Sequence, residues 1–219
     1  MELLLKERSI PREVELMDRV AETLSEFQKI DKQLLDLAAQ NSNRKAYRLA
    51  FGPVLKLLLE MDEALSHIVA DDADLPSENK VEILKLVSEA RISALRMQVL
   101  LLPHIAEEND RKMDDFEAQL ALDAAKIQAN FAALNALLPP SIKSNVATAT
   151  SRYAEFEKLK TQILKLSRAN TDLKAVAMAL NEKRKAMLAC QDALVALEQA
   201  IQAEPITTAI PSGRSPSIP

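Results

Sequence analysis

Glycine, tryptophan and cysteine are scarce or missing in this 219-residue sequence, which has 2 glycines, 1 cysteine, no tryptophan and 3% aromatic residues. With Gly52 and Gly213 alone, a glycine-rich phosphate loop cannot form. The single cysteine, Cys190, excludes an internal disulfide framework. The abundant residues are instead leucine, alanine, lysine, glutamate and glutamine, which are typical of long helices. The composition therefore predicts an all-α protein.

Long apolar runs are also missing. The most apolar stretches, residues 57–59 and 99–102, are far shorter than the roughly 20 residues of a membrane helix. Residues 1–6 contain too short an apolar run for a signal peptide. We therefore expect no membrane span in this chain. The net charge of -4 argues against a nucleic-acid surface, which would need a clustered basic face.

The sequence contains an internal repeat. Residues 26–68 align without a gap with residues 155–197, which lie 129 positions further along the chain. Phe27 then pairs with Phe156, Asn41 with Asn170, and Leu65 with Leu194. A repeat of this length indicates that one supersecondary unit occurs twice.

Clusters of Asn, Asp, Ser and Pro interrupt the helical pattern at residues 40–43, 71–77, 108–110, 138–141 and 169–172. This spacing predicts six helices of about 30 residues each, and three helices twice as long are the alternative. We predict an antiparallel up-down four-helix bundle at residues 77–203, with an N-terminal antiparallel helical hairpin at residues 11–70 that is related to its second half. Residues 1–10 form an N-terminal extension, and residues 204–219, rich in Pro, Ser and Thr, form a disordered tail.

Apolar spacing predicts which helix faces pack. Ile92, Leu95 and Val99 follow the 3-4 spacing of a coiled-coil-like seam. In the last helix, a seven-residue repeat predicts a second seam at Leu173, Leu180, Met187, Leu194 and Ile201, with Val176, Cys190 and Leu197 at the interleaved positions. Two helices alone bury too little apolar surface, so we expect the 11–70 hairpin to pack on the four-helix unit or on a second subunit. A homodimer is the expected assembly.

One cluster of cations is a candidate binding site. Arg91 and Arg96 lie five residues apart, and antiparallel geometry would place Arg96 level with Lys183 and Arg184. Guanidinium and ammonium groups in one layer would bind a small anionic, carboxylate-like ligand. The alternative is that Arg96 or Lys183 pairs with Asp123 or a neighbouring glutamate and extends to water.

Signatures of catalysis are scarce. His67 and His104 are too few for most metal sites, and each is expected to have a plain surface or boundary role. Cys190 falls at a seam position, where a free thiol usually behaves as a small buried hydrophobe. We therefore expect no enzymatic activity, no cofactor and no metal.

Two segments carry a resemblance to a known family. The sequence ARISALRMQVLLLPHIAEEND, and the stretch that runs from SRYAEFEKLK to LVALEQAI, resemble the four-helix-bundle sensor domain of bacterial methyl-accepting chemotaxis proteins over residues 77–203. Arg91 and Arg96 match the five-residue step of ligand-binding arginines in the aspartate-sensing members, and Leu100 occupies the position of the next arginine. The additional hairpin resembles the duplication of helical bimodular sensors.

The resemblance implies a sensor that binds a small, anionic ligand and signals by helix displacement. It would then be periplasmic, as a domain excised from between membrane helices, and otherwise the chain is expected to be cytoplasmic. The alternative function is that of a non-enzymatic helical scaffold or adaptor that acts through helix-helix protein interactions.

Overall fold

The computed structural model describes residues 11–70 and 75–203, and these residues form helices without any strand. The expectation of an all-α protein is confirmed for them. The predicted extension at residues 1–10 and the predicted tail at 204–219 lie outside the described residues. The helices are α1 (Pro11–Gln40), α2 (Ser42–Leu49), α3 (Leu55–Ala70), α4 (Lys80–Ala106), α5 (Asp110–Leu137), α6 (Lys143–Ala169), α7 (Thr171–Met178) and α8 (Arg184–Ala203).

The helices end at the polar clusters that the sequence marks. Asn41 and Asn170 interrupt their helices with positive φ angles of 49° and 54°. Asparagine tolerates this left-handed conformation because its short side chain can form local hydrogen bonds. Asn109 caps α5, since its side-chain oxygen accepts hydrogen bonds from the backbone N–H groups of Arg111 and Lys112. Local side-chain chemistry therefore sets the helix boundaries.

Both copies of the repeat contain a π-helical turn at the equivalent place. The turn Ala50–Val54 joins α2 to α3, and the turn Ala179–Lys183 joins α7 to α8. The first contains Pro53, which has no backbone N–H to donate and so favours a local departure from α-helical bonding. The two copies thus share their breaks as well as their apolar positions.

The chain divides into two compact units. One contains residues Asp36–Val176, and the other contains the described parts of Met1–Leu35 and Ala177–Pro219. This division differs from the boundary at residues 70–77 that we drew from the sequence. The physical reason is that α2 and α3 pack on α6, and α3 also contacts α4, so the second half of the expected hairpin belongs with the helices that follow it.

The 36–176 unit has a continuous apolar core. Phe156 and Ile163 of α6 are fully buried, and burial of each such side chain contributes about 1.5–3 kcal/mol relative to exposure. The other large side chains that are fully buried in this core are Met61, Leu65, Ile68, Ile83, Met97, Leu101, Ile105, Leu120, Ile127 and Leu134.

Burial in α4 differs from the expected seam. Ile92, Leu95 and Val99 are 58%, 65% and 57% exposed, so the prediction that they pack in the bundle is wrong. The buried face lies instead at the positions of Ala90, Ala94 and Met97, with Leu86 and Leu101 on either side along the helix. Both faces have apolar residues at helical spacing, and the buried one carries the small alanines that let neighbouring helices approach closely.

A reciprocal set of hydrogen bonds joins the two copies of the repeat where α2 and α7 begin. The Ser42 backbone N–H donates to Thr171 Oγ1 (3.1 Å), and the Thr171 N–H donates to Ser42 Oγ (2.9 Å). One residue further on, the Asn43 N–H donates to Asp172 Oδ2 (2.8 Å) and the Asp172 N–H donates to Asn43 Oδ1 (3.4 Å). Each helix start is therefore capped by the equivalent residues of the other copy, 129 positions away. We call these four residues the junction.

Removal of either junction hydroxyl should destabilise the protein. We expect Ser42→Ala and Thr171→Val each to lower the free energy of unfolding by about 1 kcal/mol, because a buried N–H loses its acceptor. The two hydroxyls also bond each other at 3.1 Å. The double variant should therefore lose about 0.5–1 kcal/mol less than the sum. Urea denaturation of the four proteins measures this coupling.

Thr161→Val is the control, since its hydroxyl donates to the Glu157 carbonyl within the same helix. The change in the free energy of unfolding caused by Thr161→Val should add to the change caused by Ser42→Ala. Strict additivity between Ser42→Ala and Thr171→Val would contradict reciprocal capping.

Candidate functional site

Two of the predicted ligand-binding cations, Arg91 and Arg96, lie on α4 and each faces a carboxylate of the 36–176 unit. Arg91 Nε is 2.5 Å from Asp62 Oδ1, and Arg91 Nη2 is 3.1 Å from Asp62 Oδ2, which makes a bidentate pair. Arg96 Nε lies 3.3 Å from Asp123 Oδ2. The alternative in which Arg96 pairs with Asp123 is therefore the arrangement found, and an anionic ligand would have to displace a carboxylate at either arginine.

The other two predicted cations, Lys183 and Arg184, lie in the second unit. Lys183 Nζ forms an ion pair with Asp31 and lies 5.6 Å from the centre of the Phe27 ring. Arg184 begins α8 and is exposed. Arg91 and Arg96 thus belong to one unit and Lys183 and Arg184 to the other, so the structure does not bring the four predicted cations together within one unit.

Asp123 is the most unusual ionisable side chain of the 36–176 unit. It is 1% exposed, and neither carboxylate oxygen forms a hydrogen bond within the described residues. Arg96 is close but not aligned for a hydrogen bond, and Lys126 Nζ lies 4.0 Å from Oδ1. A buried carboxylate held by charge alone loses much of its hydration without full compensation. Asp123 was among the partners for Arg96 that the sequence predicted. The burial of Asp123 could not be predicted, because it depends on packing between helices.

A second polar cluster surrounds Tyr153 on α6. Its hydroxyl donates to Glu157 Oε1 (2.8 Å), and the buried Lys160 contacts both oxygens of the same carboxylate at 2.8 and 2.6 Å. Burial raises the pKa of Tyr153 well above its usual range, and the negative charges of Glu157 and Asp123 raise it further. The phenol therefore stays protonated and acts as a hydrogen-bond donor.

His104 is fully buried, so its expected surface or boundary role is wrong, whereas His67 is exposed as expected. The His104 ring contacts Ser167 Oγ through Nδ1 (2.8 Å) and Glu117 Oε1 through Nε2 (2.9 Å). The Ser167 hydroxyl donates to the His104 carbonyl (2.8 Å). Ser167 is itself fully buried, so it is not placed as a nucleophile for a substrate. Sequence reasoning missed this network because its members are 13 and 63 residues apart.

Charge around Glu117 stabilises the network at neutral pH. Partial burial raises the pKa of Glu117, but hydrogen bonds from Arg168 and His104 outweigh burial and lower the pKa below its ordinary value of 4.5. The pKa of Arg168 is raised by its hydrogen bonds to Glu117 and Asp114. Because the folded-state pKa of Glu117 is depressed, its contribution to stability is present above the unfolded-state pKa and is lost as the pH falls through the folded-state value.

An apolar groove of about 290 Å³ lies between α3 and α4 of the 36–176 unit. We call it the α3/α4 groove. Leu59 and Leu95, on opposite walls, are 61% and 65% exposed, and the Arg91–Asp62 pair lies in its lining. Gln98 also lines it, donates to the Ala50 carbonyl (3.0 Å) and leaves its own buried Oε1 without a hydrogen bond. The remaining lining residues are Leu55, Leu58, Met61, Ile92 and Ala94.

No protein-family model matches the chain, and no curated protein and no solved structure is significantly similar to it. Within residues 11–70 and 75–203, no helix combines the length and the apolar character needed to cross a membrane. The same part of the chain has no group of three His, Cys, Asp or Glu side chains placed to hold a metal ion.

Replacement of the buried Asp123 carboxylate should stabilise the protein. We expect Asp123→Leu to raise the free energy of unfolding by about 1 kcal/mol, because an apolar side chain of similar size removes the desolvation cost and the half-exposed Arg96 can turn to water. Arg96→Ala should instead lower it by about 1–3 kcal/mol, because it leaves the carboxylate buried without its neighbour. Urea denaturation at pH 7 measures both. A destabilised Asp123→Leu beside a neutral Arg96→Ala would contradict this account.

Proposed function

We propose that this protein is a non-enzymatic helical scaffold or adaptor whose α3/α4 groove binds an amphipathic helix of a partner protein. The observation that carries the proposal is the exposed apolar surface on both walls of the groove. Leu55 and Leu59 line one wall four residues apart and are 39% and 61% exposed, and Phe51, 56% exposed, lies in the π-helical turn just before them. Single exposed apolar residues are ordinary, whereas a continuous stripe is typical of an interaction surface.

The opposite wall has a matching stripe. Ile92, Leu95 and Val99, each more than half exposed, follow the 3-4 spacing along α4. A stripe of eight residues rises about 12 Å, or rather more than two helical turns. Two such stripes at helical spacing fit the apolar face of one further helix, which would insert residues at positions i, i+3 or i+4, and i+7.

The same proposal includes the arrangement of the helices. In it, the α2–α3 segment, α4, α5 and α6 form an antiparallel up-down bundle. The contacts between α3 and α4, α4 and α5, and α5 and α6 support this arrangement, as does the contact between α3 and α6. Short connections, such as the one between Ala106 and Asp110, favour antiparallel neighbours. The groove is then the surface where a fifth helix would join the bundle.

A second candidate is the chemoreceptor-like sensor. The α3/α4 groove favours it in one respect, since an apolar cavity ends at the guanidinium of Arg91. A small carboxylate with an apolar body would bind Arg91 in place of Asp62. Binding would favour a displaced position of α4 relative to α3, the helix displacement by which a sensor of this kind signals.

Helix binding predicts position-specific cross-linking. With the photoreactive residue benzoylphenylalanine in place of Leu95, we expect adducts to one segment that has apolar residues at helical spacing. A synthetic peptide of that segment should bind the full chain, and Leu95→Asp should weaken its binding at least about tenfold, as expected for a central interface position. Fluorescence anisotropy measures the affinity.

Leu122 on α5 is the matched control, because it is 65% exposed, as Leu95 is. Leu122→Asp should leave peptide affinity unchanged. Equal cross-linking from both positions, or a peptide affinity that Leu95→Asp does not alter, would contradict the proposal.

The sensor function predicts a ligand-dependent rise in the melting temperature. In a thermal-shift screen of di- and tricarboxylates, nitrate and amino acids, a true ligand at 100 times its Kd should raise Tm by about 5 °C or more. Arg91→Ala should abolish the rise, while Arg111→Ala, an exposed arginine on α5, should preserve it. A flat screen would count against the sensor function and would leave the helix-binding proposal standing.

A further inference from the structure

The second unit buries little of its own apolar surface. In it, Asp31 near the end of α1 pairs with Lys183 before α8, and Leu16 near the start of α1 shares a surface depression with Ala200 near the end of α8. The two helical segments are therefore antiparallel. In the described part of this unit, the apolar side chains that are buried are Ile30, Ala193 and Leu197. So small a core does not hold two helices of this length together by itself.

The seven-residue apolar repeat of the last helix faces solvent. Leu180, Met187, Leu194 and Ile201 are 66%, 49%, 50% and 46% exposed, so the expectation that they form an intrachain seam is wrong. Of the interleaved positions of that expected seam, Leu197 is buried as expected, and Ala193 is the other buried residue of α8. Leu188 and Val195, also seven residues apart, widen the exposed stripe. Leu180 lies in the π-helical turn before α8, so we give the name heptad stripe to the five residues of α8 itself, Met187, Leu188, Leu194, Val195 and Ile201.

Helix α1 adds apolar residues to the outer surface of the same unit. Leu24 and Leu35 are 43% and 59% exposed. An apolar repeat of seven residues over three turns or more is the pattern by which helices associate in coiled coils. The unit therefore has one packed seam between its two segments and a second apolar seam that the described residues leave exposed.

Charge along the unit is strongly asymmetric. At the joined end, which we define as residues 27–35 and 177–185 next to the 36–176 unit in the chain, there are five basic and two acidic side chains. At the distal end, residues 11–26 and 186–203, there are two basic and seven acidic side chains. The two ends thus carry net charges of opposite sign.

We propose that two copies of this chain associate through their heptad stripes with the second units antiparallel, so that the joined end of one lies beside the distal end of the other. We infer that a second copy of this chain packs on the stripe, because the basic end of one copy is complementary in charge to the acidic end of an antiparallel copy. A two-fold axis perpendicular to the helices places the basic joined end of each copy beside the acidic distal end of the other, so the favourable contact occurs twice. The product is a four-helix assembly made of two segments from each copy.

Parallel association would reverse the electrostatic outcome. A two-fold axis along the helices would place two distal ends side by side, each with seven acidic side chains, and two basic joined ends side by side. Like charges opposite one another are destabilising. The apolar stripe alone permits both arrangements, and the charge distribution selects the antiparallel one.

Charge reversal in the full chain tests both the assembly and its direction. Lys32, Arg184 and Lys185 at the joined end, and Glu15, Asp18 and Glu22 at the distal end, are all exposed. We expect K32E/R184E/K185E to weaken the dimer about tenfold or more at low salt, and E15K/D18K/E22K to weaken it as well. The combined variant should regain much of the lost affinity. Sedimentation equilibrium under reducing conditions measures the dissociation constants.

Several outcomes would overturn the proposal. In the parallel arrangement E15K/D18K/E22K would strengthen the dimer, because it removes repulsion between two acidic ends. A wild-type chain that is monomeric at about 100 µM would exclude the assembly altogether. The charge effects should fade in 1 M NaCl, where the Debye length is about 3 Å, and effects that persist there would not be electrostatic.

A variant of the stripe supplies a further check. Met187→Asp with Leu194→Asp should yield a monomer whose far-ultraviolet circular dichroism remains helical, because both side chains are about half exposed. Leu95→Asp, which lies on the other unit, should leave the dimer unchanged. Loss of the dimer in Leu95→Asp would assign the interface to the α3/α4 groove and overturn the heptad stripe as the surface.

Discussion

Two helix starts that lie side by side, each with unsatisfied backbone N–H groups, impose the constraint on which this fold depends. A helix N-terminus that is buried needs acceptors from the protein, and Ser42 and Thr171 are each only 3% exposed. Ser42 and Thr171 supply them to one another, as Asn43 and Asp172 do, and Asn43 Nδ2 also donates to the Ile105 carbonyl (2.8 Å) and to Asn170 Oδ1 (2.7 Å). The junction therefore fixes the relative register of the two copies of the repeat and of the α4 C-terminus.

Helix boundaries could be predicted well from the sequence, because their causes are local. Asn41, Asn109 and Asn170 act on the backbone within a few residues of themselves. The repeat was also visible, since it needs no structure to be recognised. Which of two apolar faces of one helix is buried could not be predicted from the sequence. On α4, the face of Leu95 and the face of Met97 have equally helical spacing, and only the position of neighbouring helices decides which of them is buried.

In the candidate site, too, the sequence predicted features with local causes and did not predict most contacts between helices. Arg91 and Arg96 were found by their spacing, and the partner of Arg96 was among the alternatives because Asp123 has a suitable depth along its helix. The pair of Arg91 with Asp62 and the network around His104 were not predictable, since they join residues from different helices whose contact depends on the whole packing. Arg91 and Arg96 already face carboxylates, whereas both units have exposed apolar residues along helix faces.

The two π-helical turns give these exposed faces their direction. A π turn accommodates one additional residue, and one residue in an α-helix corresponds to a rotation of about 100°. The turn at Ala179–Lys183 therefore sets the angular phase of everything after it, independently of which side chains follow. Deleting one residue there would rotate the apolar stripe of α8 by about 100° about the helix axis. The length of that short segment, rather than its composition, then decides which face of the last helix is buried and which is exposed.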